Sequence, residues 1–301
     1  MVHNVKTTKT AETDKKPAIS YWAKEKCHCP VCNKDFDQEV MHQGGGRMIA
    51  GVLTDELHRN FEPSKKFGRI FPLIYDIGAC PNCHAAFFWK DFTDIKDPES
   101  LDRIMQDENH RKKAVQTMFP YYDLKKERTL FDGVAMYYLA LLTYEKVDIG
   151  YAPTFKRGML SLRLAWLCKD LDRMCPNHNY DYAAQLFYRK SIFFYQQTLV
   201  NEQGRIESIE PIQNFGPDMD KNYGFDGVIY LCGLLEYKYG QREDEEMRLK
   251  KLDEFKRSIA RIFGLGRSSK NKPGPLLEVA RNLYDKLTAE LSANNILSPD
   301  D

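Results

Sequence analysis

Two regimes of hydrophobic patterning divide the chain. From Tyr21 to about Lys96 the apolar residues come in short runs, broken by Gly44-Gly45-Gly46, Pro63 and Pro72, which predicts short strands joined by turns. Phe71 to Ile77 reads as a strand running straight into a cysteine pair. From Asp97 the spacing turns helical. Asp97-Pro98 is a start signal, an N-cap followed by proline in the first turn, and that helix is expected to end near Phe119-Pro120. Leu130, Val134, Tyr137, Tyr138 and Leu141 then share one helical face.

The segment after Pro153 carries two apolar stripes. Phe155, Met159, Leu162 and Trp166 form one; Leu160, Leu164, Leu167 and Leu171 form the other. A helix striped twice is covered from two directions, as in the middle of a stacked array. Single faces follow: Val228, Leu231 and Leu235; Leu252, Phe255, Ile259 and Ile262; Leu276, Ala280, Leu283 and Leu287. Successive amphipathic helices predict tetratricopeptide-like hairpins. The consensus of roughly 34 residues is absent, so an irregular helical bundle is the competing reading. "VNEQGRIESIEPIQNFGPDMD" reads as a long irregular connection with a small hairpin around Gly204.

Composition narrows the function classes. In 301 residues, 43% are hydrophobic and 29% charged, which excludes wholesale disorder, and a net charge of +1 argues against a dedicated polyanion binder. The first twenty residues lack the apolar core of a signal peptide. No stretch reaches the roughly 18 apolar residues of a membrane span. A cytoplasmic protein without a membrane partner is expected, in a compartment where thiols stay reduced.

That expectation bears on "KCHCPVCNKDF" and "DIGACPNCHAAFF". Each holds a Cys-Pro-x-Cys: Cys29 and Cys32, then Cys80 and Cys83. One such turn supplies two sulfurs, and two turns complete a tetrahedral zinc shell. Redox dithiols place one pair at a helix N-terminus in a strand-helix-strand unit, and neither pair here sits in that pattern. A shell of four thiolates leaves no open position for water or substrate, which points to one structural Zn2+. The residue after each pair often adopts a left-handed conformation, and Asn33 and His84 tolerate it. Cys27 with His28 offers a competing ligand or a free thiol, although Cys27 is read as pointing away; His84 is a turn residue or an alternative ligand. Cys168 and Cys232 read as buried hydrophobes, and Cys175 with His178 as an inter-helix loop.

No phosphate-cradling loop, nucleophile elbow or helical His-Glu-x-x-His is present. "KRSIARIFGLGRSSKNK" brings Lys256, Arg257, Arg261, Arg267, Lys270 and Lys272 together without an acid. It reads either as a polyanion contact or as a solvated helix end running into a linker.

"CPVC", "PLIYDIGACPNCHAAFFWKDF", "GMLSLRLAWLCKDL" and "YLCGLLEYKYG", in that order, resemble the landmarks of an uncharacterised bacterial family, domain-of-unknown-function family 2225. The resemblance runs from about Cys29 to the last helix. It implies a zinc-ribbon-like front with tetratricopeptide-like helices and Cys29, Cys32, Cys80 and Cys83 as metal positions. His84, where glycine would be usual, and the three-glycine insertion depart from the pattern.

The expected fold is therefore mainly α. A small β-rich, zinc-ribbon-like module over 21–96 precedes a helical-hairpin domain over 97–293, with disordered tails at 1–20 and 294–301. The expected function is a non-catalytic adaptor that binds another protein or peptide at the helical array. The alternatives are a nucleic-acid binder using the ribbon and the basic stretch, and a Cys27-based enzyme or thiol sensor.

Overall fold

A computed structural model describes residues 18–263 and 272–294. Its strands are short and pair only two by two, always antiparallel. β1 (Ser20–Trp22) pairs with β4 (Glu39–Met41) and encloses the pair β2 (Cys27–His28) and β3 (Asp35–Phe36). β5 (Ile49–Leu53) pairs with β6 (Arg59–Glu62), and β7 (Ile77–Ala79) with β8 (Ala86–Phe88). The strand expected over Phe71 to Ile77 begins only at Ile77, because Pro72–Tyr75 is a 3₁₀ turn. Pro72 has no amide for a ladder, and its fixed φ suits the first position of a helical turn. Ser20 already lies in β1, while the tails at 1–17 and 295–301 lie outside the described residues.

Nine helices follow among the described residues: α1 (Asp91–Asp94), α2 (Pro98–Gln106), α3 (Glu108–Met118), α4 (Leu130–Tyr144), α5 (Pro153–Met174), α6 (Tyr180–Gln203), α7 (Gly224–Tyr239), α8 (Glu245–Phe263) and α9 (Gly274–Ala293). The chain is mainly α with a small β-rich front. Asp97 caps α2 as expected, accepting from the Ser100 amide at 2.8 Å. The single helix expected up to Phe119 is broken at Asp107, whose φ of −84° and ψ of 3° interrupt it where three weak helix formers, Asp107, Asn109 and His110, stand close together. Thr129 and Asp132 close a capping box at the start of α4.

Helices consecutive in sequence pack on one another from α3 to α9. α5 lies between α4 and α6, and all eight residues of its two stripes are buried. The faces expected on α7, α8 and α9 also turn inward, with only Phe255 left half-buried. No strand occurs around Gly204: α6 runs through Gln203, and the connection to α7 holds itself with side-chain turns such as Gly216 N–H to Asn214 Oδ1, 2.8 Å. One hydrophobic cluster extends from Cys29 to Leu291, so the β-rich front and the helices share a core.

The β5–β6 hairpin pushes its tip, Thr54 to His58, into a recess between α5, α6 and α7. Glu56 is 5% exposed there. Its carboxylate accepts from Trp166 Nε1 at 2.6 Å, Tyr188 OH at 2.8 Å, Tyr239 OH at 2.7 Å and Lys238 Nζ at 2.8 Å. Leu57 is fully buried with φ at +58°. His58 stacks on Trp166, ring centres 4.1 Å apart, and meets Asp218 at 2.6 Å. Nothing in the hairpin's own sequence announces this docking, since every partner lies more than a hundred residues away.

Burial alone would raise the Glu56 pKa. The Lys238 ammonium and the hydrogen bonds from Lys238, Tyr239 and Trp166 outweigh it and hold the carboxyl at about 2, against an ordinary 4.5. The charged form thus favours the fold. Its contribution is complete above about pH 4.5 and is lost as pH falls through about 2. Glu56→Gln should lower stability by about 2–3 kcal/mol at pH 6 and by roughly half that at pH 3. Denaturant unfolding of both proteins, followed by circular dichroism at the two pH values, checks this; a pH-independent difference would contradict it.

Candidate metal centre

Two turns of the same design carry the cysteines. In the first, Cys29 N–H donates to Lys34 O at 3.1 Å, and Asn33 N–H donates to Cys29 O at 2.9 Å. In the second, Cys80 N–H donates to Ala85 O at 2.9 Å, and His84 N–H donates to Cys80 O at 2.9 Å. Asn33 and His84 close the turns in the left-handed region, with φ of 55° and 59°, as their positions after each pair predict. β2–β3 frames the first turn and β7–β8 the second. Lys34 Nζ reaches Asn82 Oδ1 across the two turns at 2.9 Å.

The turns face each other, and their four sulfurs lie within 4.8 Å of one another. Cys29 and Cys83 Sγ are 3.6 Å apart, as are Cys32 and Cys80. These spacings are far beyond a disulfide bond of about 2.05 Å and let one ion touch all four sulfurs. Cys29, Cys80 and Cys83 are fully buried, and Cys32 is partly so. No other group of three or more metal-ligating side chains with such spacing occurs among the described residues.

Hydrogen bonds among Cys29, Cys80 and Cys83 show why a cation suits the group. Hydrogen bonds from Cys29 and then Cys83 pull the Cys80 thiol down to about 2. The hydrogen bond with Cys80 pushes Cys29 up to about 12, and bonds to Cys29 and Cys80 push Cys83 higher still. The bonds that favour a Cys80 thiolate disfavour thiolates at Cys29 and Cys83. A divalent ion removes that opposition by replacing the protons.

Helices hold the second turn in place. Arg111 of α3, fully buried, donates to Cys83 O at 3.1 Å and to Ile104 O. Arg128, just before α4, donates to Ile74 O at 2.7 Å and Ile77 O at 2.6 Å. From α4, Tyr137 OH donates to Leu73 O at 2.9 Å. Thr143 Oγ1 accepts from Ala86 N–H at 3.2 Å, and Tyr144 OH accepts from Phe88 N–H at 3.1 Å. Gly133 lets α4 approach Ile74 so closely that a Cβ would lie 2.3 Å from its Cγ2. Sequence reading missed Arg111 and Arg128, because an arginine in a polar stretch looks solvated until its long-range partners are known.

The other candidates fall outside the four-sulfur group. Cys27 is half-buried in β2, with its thiol pushed up to about 11 by burial and by the nearby charges of Cys80 and Asp35. His28 is exposed and meets Asp35 at 2.8 Å. His84 turns its ring edge-on to Tyr122, and its buried Nδ1 has no partner. Cys168 and Cys232 are buried in α5 and α7, and Cys175 ends α5 while His178 lies in the following loop.

In the basic stretch, Lys256 is 4% exposed with its ammonium 5.4 Å from the Tyr284 ring centre. Arg257 pairs with Asp253 at 2.9 Å and Lys272 with Asp226 at 2.8 Å, while Arg261 is exposed. Arg267 and Lys270 lie outside the described residues.

A family model described as "Uncharacterized protein conserved in bacteria (DUF2225)" matches residues 22–287, a span that includes both cysteine turns and most of the helices. The chain belongs to that family. An uncharacterized protein of Borreliella burgdorferi is 39% identical over 274 residues, covering 91% of this chain and 98% of that relative. No solved structure matches. DUF2225 membership names no activity.

Arg111→Met keeps the aliphatic volume and removes the bonds to Cys83 O and Ile104 O. It should cost about 2–3 kcal/mol of stability and weaken metal holding by roughly tenfold. Chelator competition with zinc as the probe ion reads the second effect; unchanged zinc affinity would show that Arg111 does not support the site.

Proposed function

We propose that this protein is a cytoplasmic, non-catalytic adaptor in which a structural zinc ion staples the amino-terminal turns onto a helical array that binds another protein. The single observation that carries the reading is the closed set of four cysteine sulfurs, three of them fully buried. Zinc with four thiolate ligands at about 2.3 Å has sulfur–sulfur edges of roughly 3.8 Å, which fits a group whose contacts begin at 3.6 Å. Bound there by Cys29, Cys32, Cys80 and Cys83, zinc would supply folding free energy and keep no position for substrate. The succession α4 to α9, each helix packed on the next, supports a tetratricopeptide-like binding role for the array.

The nucleic-acid alternative rests on the basic stretch, where Arg261 is exposed and Arg267 and Lys270 lie outside the described residues. Lys256 is buried, and Arg257 and Lys272 already face carboxylates. No helix among the described residues is long and apolar enough to cross a membrane.

Purified, reduced protein should carry about one equivalent of zinc by elemental analysis. Cys80→Ser should lose it and lower stability by several kcal/mol. Metal-free protein of undiminished stability would reject the staple. For the adaptor role, a partner captured from the native cell should bind the purified chain saturably after reconstitution; turnover of a small molecule with no saturable partner would overturn it.

A further inference from the structure

The recess that receives the hairpin tip is built as a receptor. Its walls are aromatic: Trp166 from α5, Tyr188 from α6 and Tyr239 from α7, the two tyrosine rings stacked 3.8 Å apart. One of its cations faces acids. Lys238 contacts Asp55 at 2.9 Å and Glu56 at 2.8 Å. Lys169 stands 4.6 Å over the Tyr188 ring and donates to Tyr239 OH at 3.2 Å. The tip does not fill the space. A cavity of about 190 Å³ remains beside it, lined by Asp55, Glu56, Lys169, Arg173 and Lys238 among others.

The element carrying the tip is built as an arm. β5 and β6 pair only with each other, and an isolated two-stranded hairpin is marginal in water. Their outer residues face solvent, Val52 at 70% and Ile49 at 44% exposure. Gly44, Gly45 and Gly46, with φ of +74°, +63° and +77°, form one base of the arm, and Gly68, at +69°, closes the turn at the other. Side chains could not follow that backbone path without strain. Besides the tip, the arm is tied by polar contacts such as Arg59 to Asp220 at 3.1 Å.

We infer that the α5–α6–α7 recess is a docking site for an acidic turn of a partner protein, a site that the chain's own Asp55-Glu56-Leu57 occupies until it is exchanged. The proposal deepens the adaptor reading, on which it rests, by naming the partner's chemistry: one buried carboxylate, a neighbouring acid and an aliphatic residue behind them. Exchange is feasible because an incoming acidic turn remakes the bonds that Glu56 gives up. The tethered tip competes at an effective concentration on the order of millimolar, so binding in trans is weak while the tip keeps its charge.

The test uses the full chain and a labelled peptide of residues 53–59, read by fluorescence polarisation. The peptide should bind the Glu56→Gln chain at least tenfold more tightly than wild type. Adding Lys238→Met to that chain should remove the binding, and a peptide with Gln in place of Glu56 should bind neither. Equal or absent binding to wild type and to a Glu56→Gln chain of native helicity would overturn the proposal. A second measurement needs no variant: in wild type, the hydrogen-bonded amides of Thr54 and Leu57 should exchange with solvent at least tenfold faster than those in the middle of α5. Exchange of both sets together, only by global unfolding, would make the arm a fixed strut and overturn the proposal. Either failure leaves the adaptor reading open, because that reading fails only if no partner binds anywhere.

Discussion

Four sulfurs held within 4.8 Å of one another set the condition that the amino-terminal half must meet. Buried thiolates repel, and the hydrogen bonds that favour a Cys80 thiolate disfavour thiolates at Cys29 and Cys83. The strands around them are two or three residues long, too short to hold the turns by ladder bonds alone. Two things compensate. A cation can bind the sulfurs together, and Arg111, Arg128, Tyr137, Thr143 and Tyr144 grip the backbone of the second turn and of the segments on either side of it. The β-rich front is thus an extension of the helical core, which agrees with a single hydrophobic cluster running through both.

What could be read from the sequence was whatever is encoded locally. Cys-Pro-x-Cys is a four-residue statement, and two copies imply a shared ion wherever the chain brings them together. Asn33 and His84 signalled the left-handed turns because their side chains tolerate that backbone. The double stripe of α5 announced a helix with neighbours on two sides, since periodicity records burial directly. Pro72 was misread because the apolar run from Phe71 to Tyr75 resembles a strand until the missing amide is counted. The Asp107 break followed the same pattern, with weak helix formers overriding a continuous helical reading.

The rest was illegible because its meaning sits in long-range partners. Lys256 looked like a solvated cation, but the α9 ring of Tyr284 covers it. Arg111 looked solvated too, and instead holds a carbonyl of the second cysteine turn. Glu56 gave no warning at all. Its neighbours in space come from residues 166, 188, 238 and 239, and only the fold assembles them. Three glycines before the hairpin marked an unusual backbone without saying what it carries.

Burying an ion pair rarely stabilises more than packing apolar residues in its place, so a buried carboxylate with four donors is better explained by the geometry it specifies. At the hairpin tip that geometry includes Leu57 at φ +58°. A leucine in the left-handed region costs roughly 1–2 kcal/mol, while burying its side chain completely contributes about 1.5–3 kcal/mol. The burial outweighs the strain only inside the recess. Withdrawn into water, Leu57 would lose the gain and keep the cost, because the turn's own bonds, Leu57 N–H to Thr54 O and Thr54 N–H to His58 O, set that backbone. Docking therefore offsets a strain that the hairpin turn itself imposes. Glu56 supplies the direction of docking, Leu57 the condition for staying, and the helices α5 to α7 the surface that recognises both.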